Sequence, residues 1–372
     1  MWFPKKVLLS WMAIAILVLL PSAGVAATHG DQIGRPMFAA TPSRPIPGRP
    51  EITVPTWSDT FSRQTPNGAK NYSYTMVGTN PWAGSATTRI PTEIVPLALI
   101  FSNGRSLDGG STVASTVASP LFQPFVSPAG FTQFGDAVAR TSFYSAVRSA
   151  SPNWHVLLGT PTVLPTQTIT IPTEHGFEFM GSSSGASIGL VDMDWFHGQL
   201  EKLIKALDLD PRTLPVFLTY NTFLFADTPG KCCVIGFHST LASPGLGNTQ
   251  NVNTYIWASY SDPHIFASPI EDITALSHEL AEWYSDPHIR NVVPAWVQPG
   301  TGTCFSNLLE VGDVIQSDPN LSFRVQSHGT DYHPQDVALF SWFAGQTPSI
   351  GLEGRYSYRG DKLRGPAEVC RK

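Results

Sequence analysis

The sequence predicts an α+β fold in which a mixed sheet, an amphipathic helix and a second, polar helix are set among many loops. Apolar runs of strand length stand before and after a segment of helical periodicity, and a second helical pattern follows them, an order that suits α+β packing. Glycine (31) and proline (32) are abundant while charged residues make up only 14%, which describes a loop-rich chain rather than a helical bundle. With 42% hydrophobic residues in 372, a sizeable core is available, and length alone allows one large domain or two.

Residues 1–27 read as a secretory signal. Lys5 and Lys6 precede an uncharged apolar run, Val7 to Leu20, then Pro21 and small residues, with Val25 and Ala27 suiting the cleavage rule. The run is shorter than the ~20 residues a membrane helix needs. No later segment is long and apolar enough to span a bilayer, so the mature chain is expected to be soluble and secreted or periplasmic. Loss of the two lysines takes the formal charge from −5 to −7 (−5 − 2), and no block of Lys or Arg remains to neutralise phosphates. Nucleic acid is therefore not an expected partner.

Residues 28–56 are proline-rich with little apolar periodicity and read as an extended arm, a linker or a pro-segment, leaving 57–372 for the main domain. Strand-like runs follow at Tyr72 to Gly78 and Thr92 to Phe101, bounded by Gly, Pro and Asn. Asp136 to Arg148 has helical spacing, and "WHVLLG" (Trp154 to Gly159) and "TQTITIP" (Thr166 to Pro172) are further strands. Asp194 to Leu207 is the clearest amphipathic helix, with Phe196, Leu200, Leu203, Ile204 and Leu207 on one side. "TLPVFLTYNTFLF", "CCVIGFHS" and "TYIWASY" then supply three apolar runs suited to sheet strands.

Ser268-Pro269-Ile270-Glu271 offers an N-cap serine, a proline at the first helical position and a glutamate at the third, which starts a helix there. Ile273, Ser277, Leu280, Ala281 and Tyr284 can face a core, and Asp286-Pro287 ends the run. His278 and Glu282, four apart, project from one side and can reach one ion. In a zinc-dependent hydrolase the glutamate after the first histidine, here Glu279, takes a proton from metal-activated water. A peptide or protein is the substrate such chemistry suits.

Further ligands must come from elsewhere. "NLLEVGDVIQ" offers Glu310 and Asp313 in an apolar stretch; His288 stands ten residues after His278, without the glycine turn that such a ligand needs. His238 in "GFHST" could approach from a strand, where a lone histidine more often has a structural role. Zn²⁺ is the expected ion because His278 supplies nitrogen. Ca²⁺ is the alternative, in a non-catalytic protein whose Glu282, Asp286, Glu310 and Asp313 supply oxygens.

Gly181-Ser182-Ser183-Ser184-Gly185 formally fits a serine-hydrolase elbow, but "ASIGLVDMD" follows it and not a helix. Four cysteines in an oxidising compartment suggest disulfides, with Cys232 and Cys233 each expected to reach Cys304 or Cys370.

"SHELAEWYSDP" followed by "LEVGD" resembles the His-Glu-x-x-Glu, Thr-Asp-Pro and Glu-Ile-Gly-Asp elements of a family of secreted bacterial proteins, and more distantly the plant Exordium, or phosphate-induced, proteins. "YTMVGTNP", "TQFGDAVARTSFYSA", "WHVLLGTP", "CCVIGFHS" and "YHPQDVALFSWF" extend the likeness over roughly Trp57 to Tyr358. The resemblance implies one zincin-like domain and a zincin-like site carried by His278, Glu279 and Glu282, with Glu310 and Asp313 from the second motif. It implies no settled biochemical role. Where the family often has a cysteine two residues after that aspartate, this chain has Ile315, with Cys304 upstream instead.

Overall fold

A 12-stranded sheet organises the molecule, whose structure, a computed structural model, describes residues 37–41, 48–66 and 68–371, all within one compact unit, Ile33–Lys372. The expected signal segment lies outside the described residues. The strands that position the site are β1 (Met37–Thr41), β2 (Thr92–Ile100), β3 (Gly176–Met180), β4 (Ser187–Asp192), β5 (Leu214–Tyr220), β6 (Thr222–Phe225), β7 (Cys232–Pro244) and β8 (Gln250–Tyr260). Along the sheet they run β2-β5-β8-β7-β6-β4-β3. The β2–β5, β5–β8 and β4–β6 pairs are parallel, while β7–β8, β6–β7 and β3–β4 are antiparallel, so the sheet is mixed, as the sequence predicts.

Side-chain alternation divides the core. Phe237, Tyr255 and Trp257 pack with Phe196, Leu200 and Ile204 of the amphipathic helix, which spans Met193–Ala206, while Ile256 and Ala258 pack with Leu276, Leu280 and Ala281 of the polar helix. Neighbours on β8 thus serve opposite faces, the period of a strand. Each of the buried Leu, Ile and Phe side chains contributes roughly 1.5–3 kcal/mol of hydrophobic stabilisation. Asp192 caps the amphipathic helix by accepting from the Trp195 N–H at 2.8 Å.

The Pro-rich segment supplies two short strands to this sheet. β6 meets β7 only at Cys232 and Val234, and β1 takes over beside β7 from there, running parallel to it with Phe38 opposite Gly236 and Ala40 opposite His238. Glu51–Ile52 pairs with the start of β8.

Several expectations change in detail. The helix expected over Asp136 to Arg148 is two, α1 (Phe134–Ser142) and α2 (Tyr144–Ser149), parted at Phe143, whose φ of −108° and ψ of 32° are not helical. With the amphipathic helix as α3, the polar helix is α4 (Thr274–Ser285), and it starts later than Ser268-Pro269 suggests. Asp272 is the reason: its φ is 42°, its N–H is bonded to the Ser261 carbonyl at 2.7 Å and its carboxylate to His333 at 2.7 Å, so the chain there is committed to tertiary contacts. Ser183 sits in the turn of the β3–β4 hairpin and leads into a strand, which removes the serine-hydrolase elbow.

Cysteine pairing also departs from expectation. Cys304 bonds Cys370, because the C-terminal segment runs beside Val292–Val297, with the Cys370 N–H on the Ala295 carbonyl at 2.8 Å, and Val292–Val297 pairs with Cys304–Leu308. Cys232 bonds its neighbour Cys233 at the start of β7, in the main sheet. Among the described residues no helix is long and apolar enough to cross a membrane.

Candidate metal centre

α4 packs over β7 and β8, where Trp283 donates to the Thr254 hydroxyl at 2.9 Å. Helical spacing therefore turns His278, Glu279 and Glu282 into the protein, and all three are buried. Two glycines make the space. A Cβ on Gly236 of β7 would come within 2.9 Å of the Glu279 side chain, and one on Gly312 would meet the His278 ring at 2.5 Å.

His278 Nε2 lies 3.1 Å from Oε1 of Glu282 and 3.8 Å from Oδ1 of Asp313. The ligand-capable atoms of these three residues all lie within 4.8 Å of one another. Glu282 is held by the turn of the second motif, since the backbone N–H groups of Gly312 and Asp313 donate to its Oε1 at 3.0 and 3.1 Å. The other ring nitrogen of His278, Nδ1, is 3.0 Å from Oε1 of Gln335, whose amide nitrogen donates to the Gly312 carbonyl at 2.7 Å. The Phe38 ring stacks on the His278 ring with centroids 3.3 Å apart.

A second group of three shares Glu282. Nδ1 of His238, on β7, lies 3.0 Å from Oε2 of Glu279 and 3.7 Å from Oε2 of Glu282, and these residues again bring their ligand-capable atoms within 4.8 Å. Glu310 stands beyond the other edge of that ring, its Oε2 3.9 Å from His238 Nε2.

Burial dominates the electrostatics. It raises the carboxyls of Glu279, Glu310 and Asp313 well above the usual range, and repulsion from Glu282 adds to the effect in each. Burial also opposes ionisation of Glu282, but His278, His238 and the Asp313 N–H together hold its carboxyl below the usual range. His238 is pushed down to about 4, chiefly by burial. Buried polar atoms ordinarily have partners. Here His238 Nε2, His278 Nε2, Glu279 Oε1, both oxygens of Glu310 and Asp313 Oδ1 have no hydrogen-bond partner. Unpaired lone pairs of mixed nitrogen and oxygen type, converging in a buried space, fit a divalent cation.

All five residues expected at the site, His278, Glu279, Glu282, Glu310 and Asp313, belong to this cluster, with Asp313 rather than Glu310 facing His278. His288 does not. It is buried against Thr53, whose hydroxyl is 3.4 Å from its Nε2, and it joins neither group. His238, as a lone strand histidine, ranks low by sequence, though its place just after Gly236 on a strand points to the site; Gln335 carries no local signal.

Comparisons with protein-family models, with curated proteins and with solved structures gave no match.

Proposed function

We propose that this chain is a secreted, zincin-like metal-dependent hydrolase acting on peptide bonds, with a cation held by His278, Glu282 and Asp313 and Glu279 as general base. What carries the reading is the convergence of His278 Nε2, Glu282 Oε1 and Asp313 Oδ1, the first and last of them without any hydrogen-bond partner. One histidine nitrogen with two carboxylates suits Zn²⁺ better than an all-oxygen ion such as Ca²⁺. A bound cation would act as a Lewis acid on a carbonyl and make water easier to deprotonate. Glu279 stands beside this group and outside it. His238 holds its Oε2, leaving Oε1 as the oxygen able to accept a proton. The raised carboxyl of Glu279 brings its basicity nearer to that of a working general base.

Glu279→Gln keeps shape while removing the proton acceptor. The ion held by His278, Glu282 and Asp313 and the thermal stability should persist, and cleavage of a broad peptide library should fall by about 10²-fold or more. Equal cleavage by both proteins removes Glu279 from the role.

A second reading, a non-catalytic protein with a structural ion, is favoured by one observation: His278 is fully buried and Phe38 lies flat on its ring. A wild-type protein that holds zinc yet cleaves nothing in the library would establish it.

A further inference from the structure

We propose that the cluster is a two-cation centre in which Glu282 bridges, its Oε1 serving one ion with His278 and Asp313 and its Oε2 serving a second with His238 and Glu279. The first position rests on the reading above; the second is independent of it. In a tetrahedral site with nitrogen and oxygen ligands, neighbouring ligand atoms stand about 3.4 Å apart. The first group gives 3.1 and 3.8 Å, and the second gives 3.0 and 3.7 Å, so both bracket that separation equally well. One carboxylate shared between two such positions sets ions about 3.5–4 Å apart, the spacing of two-metal hydrolytic sites.

Charge supports the same count. Glu279, Glu282, Glu310 and Asp313 are buried, and among the described residues their ion-pair contacts are to His238 and His278 alone, with no Lys or Arg. Two divalent cations match four ionised carboxylates; with one, two of the four have to stay protonated in the interior. A single ion beside His278 also leaves Glu310 with both oxygens unpartnered in the protein interior. An ion on His238 Nδ1 would leave the ring proton on Nε2, the edge that faces Glu310 Oε2 at 3.9 Å. Coordination through Oε2 of Glu279 leaves Oε1 unpartnered, so the base assigned above keeps its accepting oxygen.

Metal analysis of the full chain, freed of metal and then dialysed against Zn²⁺, should give two equivalents per chain. His238→Ala should retain one, and Glu282→Gln should lose both. Because a variant can fail to fold, wild-type protein loaded with Mn²⁺ provides a separate readout: its electron paramagnetic resonance spectrum should show two exchange-coupled ions. One equivalent in the wild type, with an isolated Mn²⁺ signal, overturns the second position and leaves the first standing. Two equivalents that survive His238→Ala also overturn it, by placing the second ion elsewhere. No bound metal in the wild type overturns both positions.

Discussion

Oε1 of Gln335 and Nδ1 of His278 are 3.0 Å apart, and that contact selects which imidazole nitrogen can bind a cation. Gln335 Nε2 is committed as donor to the Gly312 carbonyl, so Oε1 can only accept and Nδ1 must carry the ring proton. Nε2 is left as the lone pair facing Glu282 and Asp313. Gln335→Leu removes the acceptor at similar size, and affinity for Zn²⁺ in competition with a chelator should drop roughly 10–100-fold. Gln335→Glu restores an acceptor and should recover part of the loss. Unchanged affinity in Gln335→Leu means that the ring is oriented by something else.

Gly312 gives a steric test of the same place. A Cβ there would meet the His278 ring at 2.5 Å, so Gly312→Ala should cost about 1–3 kcal/mol in stability and weaken metal binding. Gly198, inside α3, is the control, because an added Cβ meets nothing within 4 Å. Gly198→Ala should stabilise by about 0.5–1 kcal/mol. Denaturant titration of the two variants should therefore give shifts of opposite sign.

The four cysteines should all be oxidised in the folded protein. Thiol titration in denaturant should find none before reduction and four after it. The Cys304–Cys370 bridge closes a loop with a sequence separation of 66, so Cys304→Ser together with Cys370→Ser should lower stability by about 2–4 kcal/mol. Two reactive thiols in the unreduced wild type would contradict the pairing.

Asp336 predicts a pH dependence away from the cluster. Burial pushes its carboxyl up to about 7, against the N–H groups of Arg359 and Val337. The folded state therefore binds more protons than the unfolded chain, whose aspartates titrate near ~3.9. Its contribution is present below about pH 4 and is lost as the pH rises towards 7. In metal-free protein, Asp336→Asn should flatten the fall in stability across that window, measured by denaturant midpoints. A slope identical to that of the wild type shows that Asp336 is not its source.

Local signals in the chain account for much of this arrangement. The alternation in "TYIWASY" and the spacing of Phe196, Leu200 and Ile204 each set a buried face by themselves, and both elements lie where the sequence puts them. His278, Glu279 and Glu282 were readable because one helical turn brings them together. The rest depended on contacts distant in sequence. The start of α4 is set by Asp272 meeting Ser261 and His333, which overrides the Ser-Pro signal. His238 reaches Glu279 only because β7 lies beneath α4, and Gln335 acts from 57 residues away. The Cys304–Cys370 bond follows from the C-terminal segment lying beside Val292–Val297, a placement no cysteine spacing encodes.

The pairing of β1 with β7 bears on how the protein can be handled. Shortening the chain to begin at Trp57, where the Pro-rich segment ends, would strip β1 from one edge of Gly236, Phe237, His238 and Ser239, leaving them paired only with β8. It would also leave one face of the His278 ring bare. The exposed row of N–H and C=O groups would then be a template for another strand, either a second molecule or a foreign extended peptide. Trimming a segment that looks dispensable would thus open a route to self-association.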